Sequence, residues 1–124
     1  MFSLKQSDRI ARLMKLLSDP FRVRLLLALS RQEACVCHLE RLLGKRQAYI
    51  SQHLMVLREE RLLTARREGK YIFYTLKDRR LLNLIRRAAE LTGSTLDSIA
   101  IAQKDSLSNC ECPTCAPSNL IPIQ

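Results

Sequence analysis

The segment QAYISQHLMVLREERLL, Gln47 to Leu63, divides its residues between two sides of a helix. From Ala48 onward, Ile50, Leu54, Leu57 and the stem of Arg61 fall on one side at 3.6 residues per turn, and Ala48, Ser51, Gln52 and Met55 on the opposite one. The first side is built for burial; the second is small, polar and amide-bearing. Just upstream, Val36 to Leu43 has the length of a short helix, with Gly44 at a C-cap position and Lys45-Arg46-Gln47 leading onward. Two short helices joined by a glycine-containing turn form a helix-turn-helix pattern.

Downstream, LLTARREGKYIFYTL, Leu62 to Leu76, reads as a β-hairpin. A turn at Glu68-Gly69 separates an apolar run from the alternation of Tyr71, Phe73 and Thr75 against Ile72, Tyr74 and Leu76, and Arg66, Arg67 and Lys70 crowd the tip. A basic hairpin directly after a recognition-type helix is a wing. Upstream, Ile10, Leu13, Met14 and Leu17 keep helical spacing behind a cap expected at Ser7, and Asp19-Pro20 opens a second helix. That helix, FRVRLLLALS, is apolar on every face except at Arg22 and Arg24, as befits the centre of a small domain. Asp78 to Leu91 forms the last helix, with more apolar residues than one surface of a small monomer can hide, which predicts packing against a partner subunit.

Across 124 residues the chain carries a formal charge of +9, 47% hydrophobic residues, no Trp and few Gly. This balance fits one mainly helical domain whose natural partner is a polyanion. The chain is expected to divide into residues 1–104, for DNA binding and dimerisation, and 105–124, a flexible cysteine-containing tail rich in Ser, Asn and Pro. The N-terminal stretch is charged throughout, so neither a signal peptide nor a membrane span is expected, and the expected location is the cytoplasm. Thiols stay reduced there, which turns the five cysteines toward metal or redox chemistry.

In order and in local strings, these elements resemble the ArsR/SmtB family of winged helix-turn-helix repressors, which sense metals and metalloids. The resemblance covers about Ile10 to Leu91 and rests on LSDPFRVRLLLAL, CVCHLERLLG, QAYISQHLMVLREERLL and RREGKYIFYTL. It implies a mainly α fold with a β-hairpin, and a homodimer with paired terminal helices that binds an inverted repeat in double-stranded operator DNA and releases it when an effector binds. Gln47, Ser51 and Gln52 are then the residues expected at base edges, since Gln can pair bidentately with adenine. Lys45, Arg46, Arg58, Arg66, Arg67 and Lys70 are expected on phosphates. His53 matches the family's His in the S-x-H-L string; lying at the edge of the buried face, it is read as a packing or backbone contact in preference to base readout.

The same resemblance assigns Cys35 and Cys37 as thiolate ligands for As(III) or Sb(III), with Cd(II) or Pb(II) next. Where familiar arsenic sensors place a third cysteine, this chain has Glu40, so the third helix supplies two ligands and Cys110, Cys112 and Cys115 are the expected completion. On a regular helix, residues two apart point about 200° from each other, so one ion can hold both sulfurs only where the helix start is, or becomes, non-helical. Binding is therefore expected to distort the first turn and misplace the reading helix that follows. The family's zinc and cobalt site between C-terminal helices is not expected, because Arg80 and Leu91 stand where histidines would be required beside Asp78. His38 is expected on the helix surface.

The alternative is a thiol-redox or persulfide-responsive regulator using the same cysteines, Cys112 and Cys115 having CxxC spacing. Neither a catalytic triad, a phosphate loop nor a paired carboxylate cluster can be assembled, so no enzyme and no organic cofactor are expected. A constitutive DNA-binding protein with incidental cysteines is the remaining reading.

Overall fold

The computed structural model describes residues 3–94; the expected tail, with Cys110, Cys112 and Cys115 and the boundary at 104/105, lies outside them. Five helices and three short strands follow one another as α1 (Leu4–Leu16), α2 (Pro20–Arg31), β1 (Ala34–Cys35), α3 (Val36–Leu43), α4 (Gln47–Glu59), β2 (Leu63–Glu68), β3 (Tyr71–Leu76) and α5 (Arg80–Leu91).

Capping chemistry sets the helix limits. Helix α1 is capped by Ser3 rather than Ser7, because Ser3 and Gln6 form a reciprocal capping box, the Ser3 hydroxyl accepting from Gln6 N–H and Gln6 Oε1 accepting from Ser3 N–H. Asp19 caps α2 by accepting from Phe21 N–H at 2.8 Å, with Pro20 at the first helical position. Gly44 ends α3 at φ +66, the left-handed geometry a glycine takes at least cost. Helix α4 ends four residues earlier than its pattern indicates. Arg61 adopts φ 64, and Arg61 and Leu62 N–H bond back to Arg58 and Leu57 carbonyls, so Arg61 belongs to the cap and Leu63 to the next strand. Likewise Asp78 precedes α5, accepting from Arg80 N–H.

Leu25, Leu26 and Leu29 of α2 meet Leu39 of α3, Ile50, Leu54 and Leu57 of α4 and Leu81 and Ile85 of α5 in one continuous core. At about 0.8 kcal/mol per buried methylene, this cluster is the main force orienting α4. The sheet is antiparallel with strand order β1-β3-β2. Its hairpin pairs Leu63 with Leu76 through Glu68 with Tyr71, and the loop is Gly69-Lys70, one residue later than the expected turn, with Gly69 at φ 62. The third strand has no counterpart in the sequence reading: Ala34 pairs with Tyr74 and Cys35 with Phe73. No helix among the described residues is long and apolar enough to cross a membrane.

Candidate nucleic-acid interface and thiol centre

Helix α4 turns Ile50, Leu54 and Leu57 inward and leaves Gln47, Ala48, Gln52 and Met55 exposed, with Ser51 half-buried. The exposed face is the amide-bearing one expected in a major groove. Its N-cap, Arg46, makes no side-chain cap bond, so the first-turn N–H groups sit beside exposed Lys45 and Arg46, a combination that attracts phosphate. Arg58 is exposed in the last turn.

His53 holds this helix in place. Its Nδ1 accepts from Arg22 Nε at 3.1 Å, and its ring meets Phe21 and Tyr49 at centroid distances of 5.1 and 4.7 Å, with Phe21 and Tyr49 themselves 4.8 Å apart. Burial is the main reason its imidazole pKa lies below 6.5; Asp19 acts in the opposite sense and Arg22 reinforces the lowering. A ring accepting at Nδ1 and wedged between helices fits the packing role expected of it.

The three wing cations are not equivalent. Arg66 is committed to the protein: its Nε and Nη2 meet both Glu33 carboxylate oxygens at 2.9 and 2.5 Å, Glu68 lies 3.5 Å from Nη1, and its guanidinium stacks 4.6 Å from the Phe73 centroid. The hydrogen bond from Arg66 holds the Glu33 carboxyl below the usual carboxylate range and raises the Arg66 pKa further. Arg66, expected on a phosphate, is therefore less free to make that contact than Arg67 or Lys70. Arg67 directs one N–H to Gly69 O at 3.2 Å, and Lys70 lies over Tyr71; among the described residues neither joins an ion pair.

Cys35 and Cys37 do converge. Cys35 is the last residue of β1 and the N-cap of α3, with extended backbone at φ −87 and ψ 168, so it stands outside the helix and escapes the 200° separation. Its sulfur accepts from His38 N–H at 3.4 Å and lies 2.7 Å from the Cys37 sulfur. The distortion expected on ligand binding is thus already part of the fold. Cys35 is 2% exposed and Cys37 half-buried, the latter lining a depression of about 390 Å³ with Glu40, Arg41, Lys45 and Arg46. His38 corrects the surface expectation: it is 5% exposed, and burial lowers its pKa. Among the described residues no three His, Cys, Asp or Glu side chains cluster as a metal site.

At the other end, Arg80 does more than replace a histidine. Its guanidinium grips Asp78 through contacts of 2.6 to 3.1 Å and pulls the Asp78 pKa to about 2, occupying the carboxylate that a zinc site would need. Two features escaped the sequence reading: Glu33, whose Arg66 partner lies 33 residues away, and Phe73 as the floor beneath Cys35.

The profile described as "Bacterial regulatory protein, arsR family" matches residues 19–65, which contain the helix-turn-helix and the thiol pair. A "Transcriptional repressor SmtB homolog" from Synechocystis sp. is 40% identical over 88 residues, 71% of this chain and 67% of that protein. A "Cadmium resistance transcriptional regulatory protein CadC homolog" from Staphylococcus aureus is 34% identical, over 64% of this chain and 66% of its own length. Among solved structures, the AntR antimony-specific transcriptional repressor superposes with a TM-score of 0.69 at 29% identity, covering 75% of this chain and 85% of its own. By sequence and by architecture, the chain belongs to the ArsR/SmtB family of winged helix-turn-helix transcriptional repressors, and it is not an enzyme.

Proposed function

We propose that this repressor is a cytoplasmic homodimer that releases operator DNA when a thiophilic ion is captured by Cys35 and Cys37. As(III) or Sb(III) come first and Cd(II) or Pb(II) next, with Cys110, Cys112 and Cys115 completing the shell. The observation that carries this reading is the 2.7 Å approach of two sulfurs at a helix N-cap, where the helix end also favours thiolates. Soft sulfur donors select soft ions, and the Arg80 grip on Asp78 argues against an oxygen and nitrogen site. The names of two relatives, a cadmium resistance regulator homolog and an antimony-specific repressor, agree with this chemistry.

On DNA, Gln47, Ser51 and Gln52 read bases, and Lys45, Arg46, Arg58, Arg67 and Lys70 hold phosphates. Dimerisation follows from the apolar surface beside α5: Leu91 is 90% exposed, and a groove of about 530 Å³ is lined by Met14, Leu17, Val23, Leu84, Ala88 and Leu91. A second copy offering the same helices would cover it as a two-fold interface.

The same sulfur approach also favours a second reading, in which two thiols give up two electrons and two protons to an oxidant and form a disulfide. Intact-mass measurement of protein freed from DNA separates the two. Stoichiometric ion on reduced protein supports ion sensing, whereas release only with the loss of two hydrogens, or with added sulfur, supports the thiol-redox reading.

A further inference from the structure

We infer that the thiol pair signals to DNA through the wing, with Phe73, Arg66 and Glu33 as the positioning residues that carry the signal. This rests on the reading that thiophilic agents act at Cys35 and Cys37. The sequence alone points to the reading helix as the route, because α3 leads into α4. The structure places Cys35 in the sheet as well as at the α3 N-cap.

Cys35 and Phe73 are direct partners across β1 and β3, 2% and 0% exposed, and they form a small buried cluster apart from the main core, with Cys37 and Tyr71 packed around it. Phe73 is also the partner of Arg66 across β3 and β2, and the Arg66 guanidinium lies on its ring. Arg66 in turn holds Glu33, two residues before Cys35. The connections close into a ring: Glu33, the β1 backbone, Cys35, Phe73, Arg66 and back to Glu33. Arg67 and Lys70, which join no ion pair among the described residues, lie beyond Arg66 toward the tip of the same hairpin.

Ligand bulk supplies the displacement. A captured ion sets bonds near 2.3 Å to each sulfur and adds its own volume beside Cys35, which is 2% exposed. Disulfide formation, with a bond near 2.05 Å, adds no atom and draws the sulfurs together instead. A close-packed cluster has no room for the added ion. The Cys35 sulfur therefore presses on Phe73, the Arg66 stack and its Glu33 pair lose register, and the hairpin carrying Arg67 and Lys70 is released from its DNA-binding position.

The test uses full-length reduced protein with Cys110, Cys112 and Cys115 replaced by Ser, and phenylarsine oxide as the dithiol probe. In water the reagent is phenylarsonous acid, which forms two arsenic–sulfur bonds with loss of two waters. Adduct formation is read by intact mass, and backbone protection by hydrogen exchange. The expected result is one adduct per chain and at least tenfold faster exchange across residues 63–76, with residues 47–59 unchanged. Glu33→Gln should take up the probe equally while showing the fast wing exchange before it is added. An adduct that loosens residues 47–59 and leaves the wing protected would overturn the wing route while leaving the thiol reading intact. Absence of an adduct would overturn both.

Discussion

Lys70→Ala should flatten the salt dependence of DNA binding without changing sequence preference. Two of the three cations near the wing tip are available to phosphate. Arg66 is held by Glu33 and stacked on Phe73, whereas Arg67 and Lys70 join no ion pair among the described residues. Each phosphate contact contributes about 0.9 to the slope of log K against log salt on duplex DNA. Losing one contact per subunit therefore lowers the slope by about 0.9 per subunit, or roughly 1.8 for a dimer. Over a fourfold rise in salt, that is roughly a 3.5-fold smaller loss of affinity per contact. Arg67→Ala should do the same, and the double variant should sum the two. The assay is fluorescence anisotropy with a duplex the protein has itself selected from random sequence, run from 50 to 200 mM salt beside Arg86→Ala on α5 as a control. An unchanged slope for Lys70→Ala, or an equal drop for Arg86→Ala, would refute the assignment of the wing tip to phosphate.

Gln52→Ala should relax base preference by about 1–3 kcal/mol at one position of each half-site; uniform weakening on all sequences contradicts base readout. His53 is held below the ordinary pKa of 6.5, chiefly by burial. The unfolded chain therefore takes up a proton as pH falls through 6.5 while the folded chain resists, so the stabilisation is complete above 6.5 and is lost toward the lower folded value. The denaturant midpoint should fall between pH 7 and 5.5, and His53→Gln should reduce that fall; an equal fall in the variant rules His53 out as a source. Ala88→Glu, on the exposed edge of the α5 groove, should shift sedimentation from dimer toward monomer, and an unaffected dimer contradicts that interface.

The helix-turn-helix was legible because each of its parts has a local cause. Gly44 marks the end of α3, the Ile50, Leu54 and Leu57 spacing marks the inner face of α4, and Gly69 marks the hairpin. The thiol pair was legible as residues but not as geometry. A two-residue strand such as Ala34–Cys35 has no period to detect, and it exists only because β3 offers it a pairing edge. That strand removes the steric objection to two adjacent ligands. The role of Arg66 was hidden for a similar reason, since its partner Glu33 is distant in sequence and Arg66 reads locally like Arg67. His38 looked like a surface residue, yet it is covered in the fold. Failures of local reading thus cluster where chain segments meet around Cys35.

If capture of a thiophilic ion by Cys35 and Cys37 drives DNA release, a DNA-release titration reads it directly. Reduced full-length protein on its selected duplex is titrated with As(III), Sb(III), Cd(II), Pb(II) and Zn(II), alongside Cys35→Ser, Cys37→Ser and the Cys110, Cys112 and Cys115 triple replacement. One or more of the soft ions should release the DNA at stoichiometric concentration, with resistance in Cys35→Ser and Cys37→Ser at retained DNA affinity and a weakened response in the triple replacement. Undiminished release from Cys35→Ser and Cys37→Ser would contradict it.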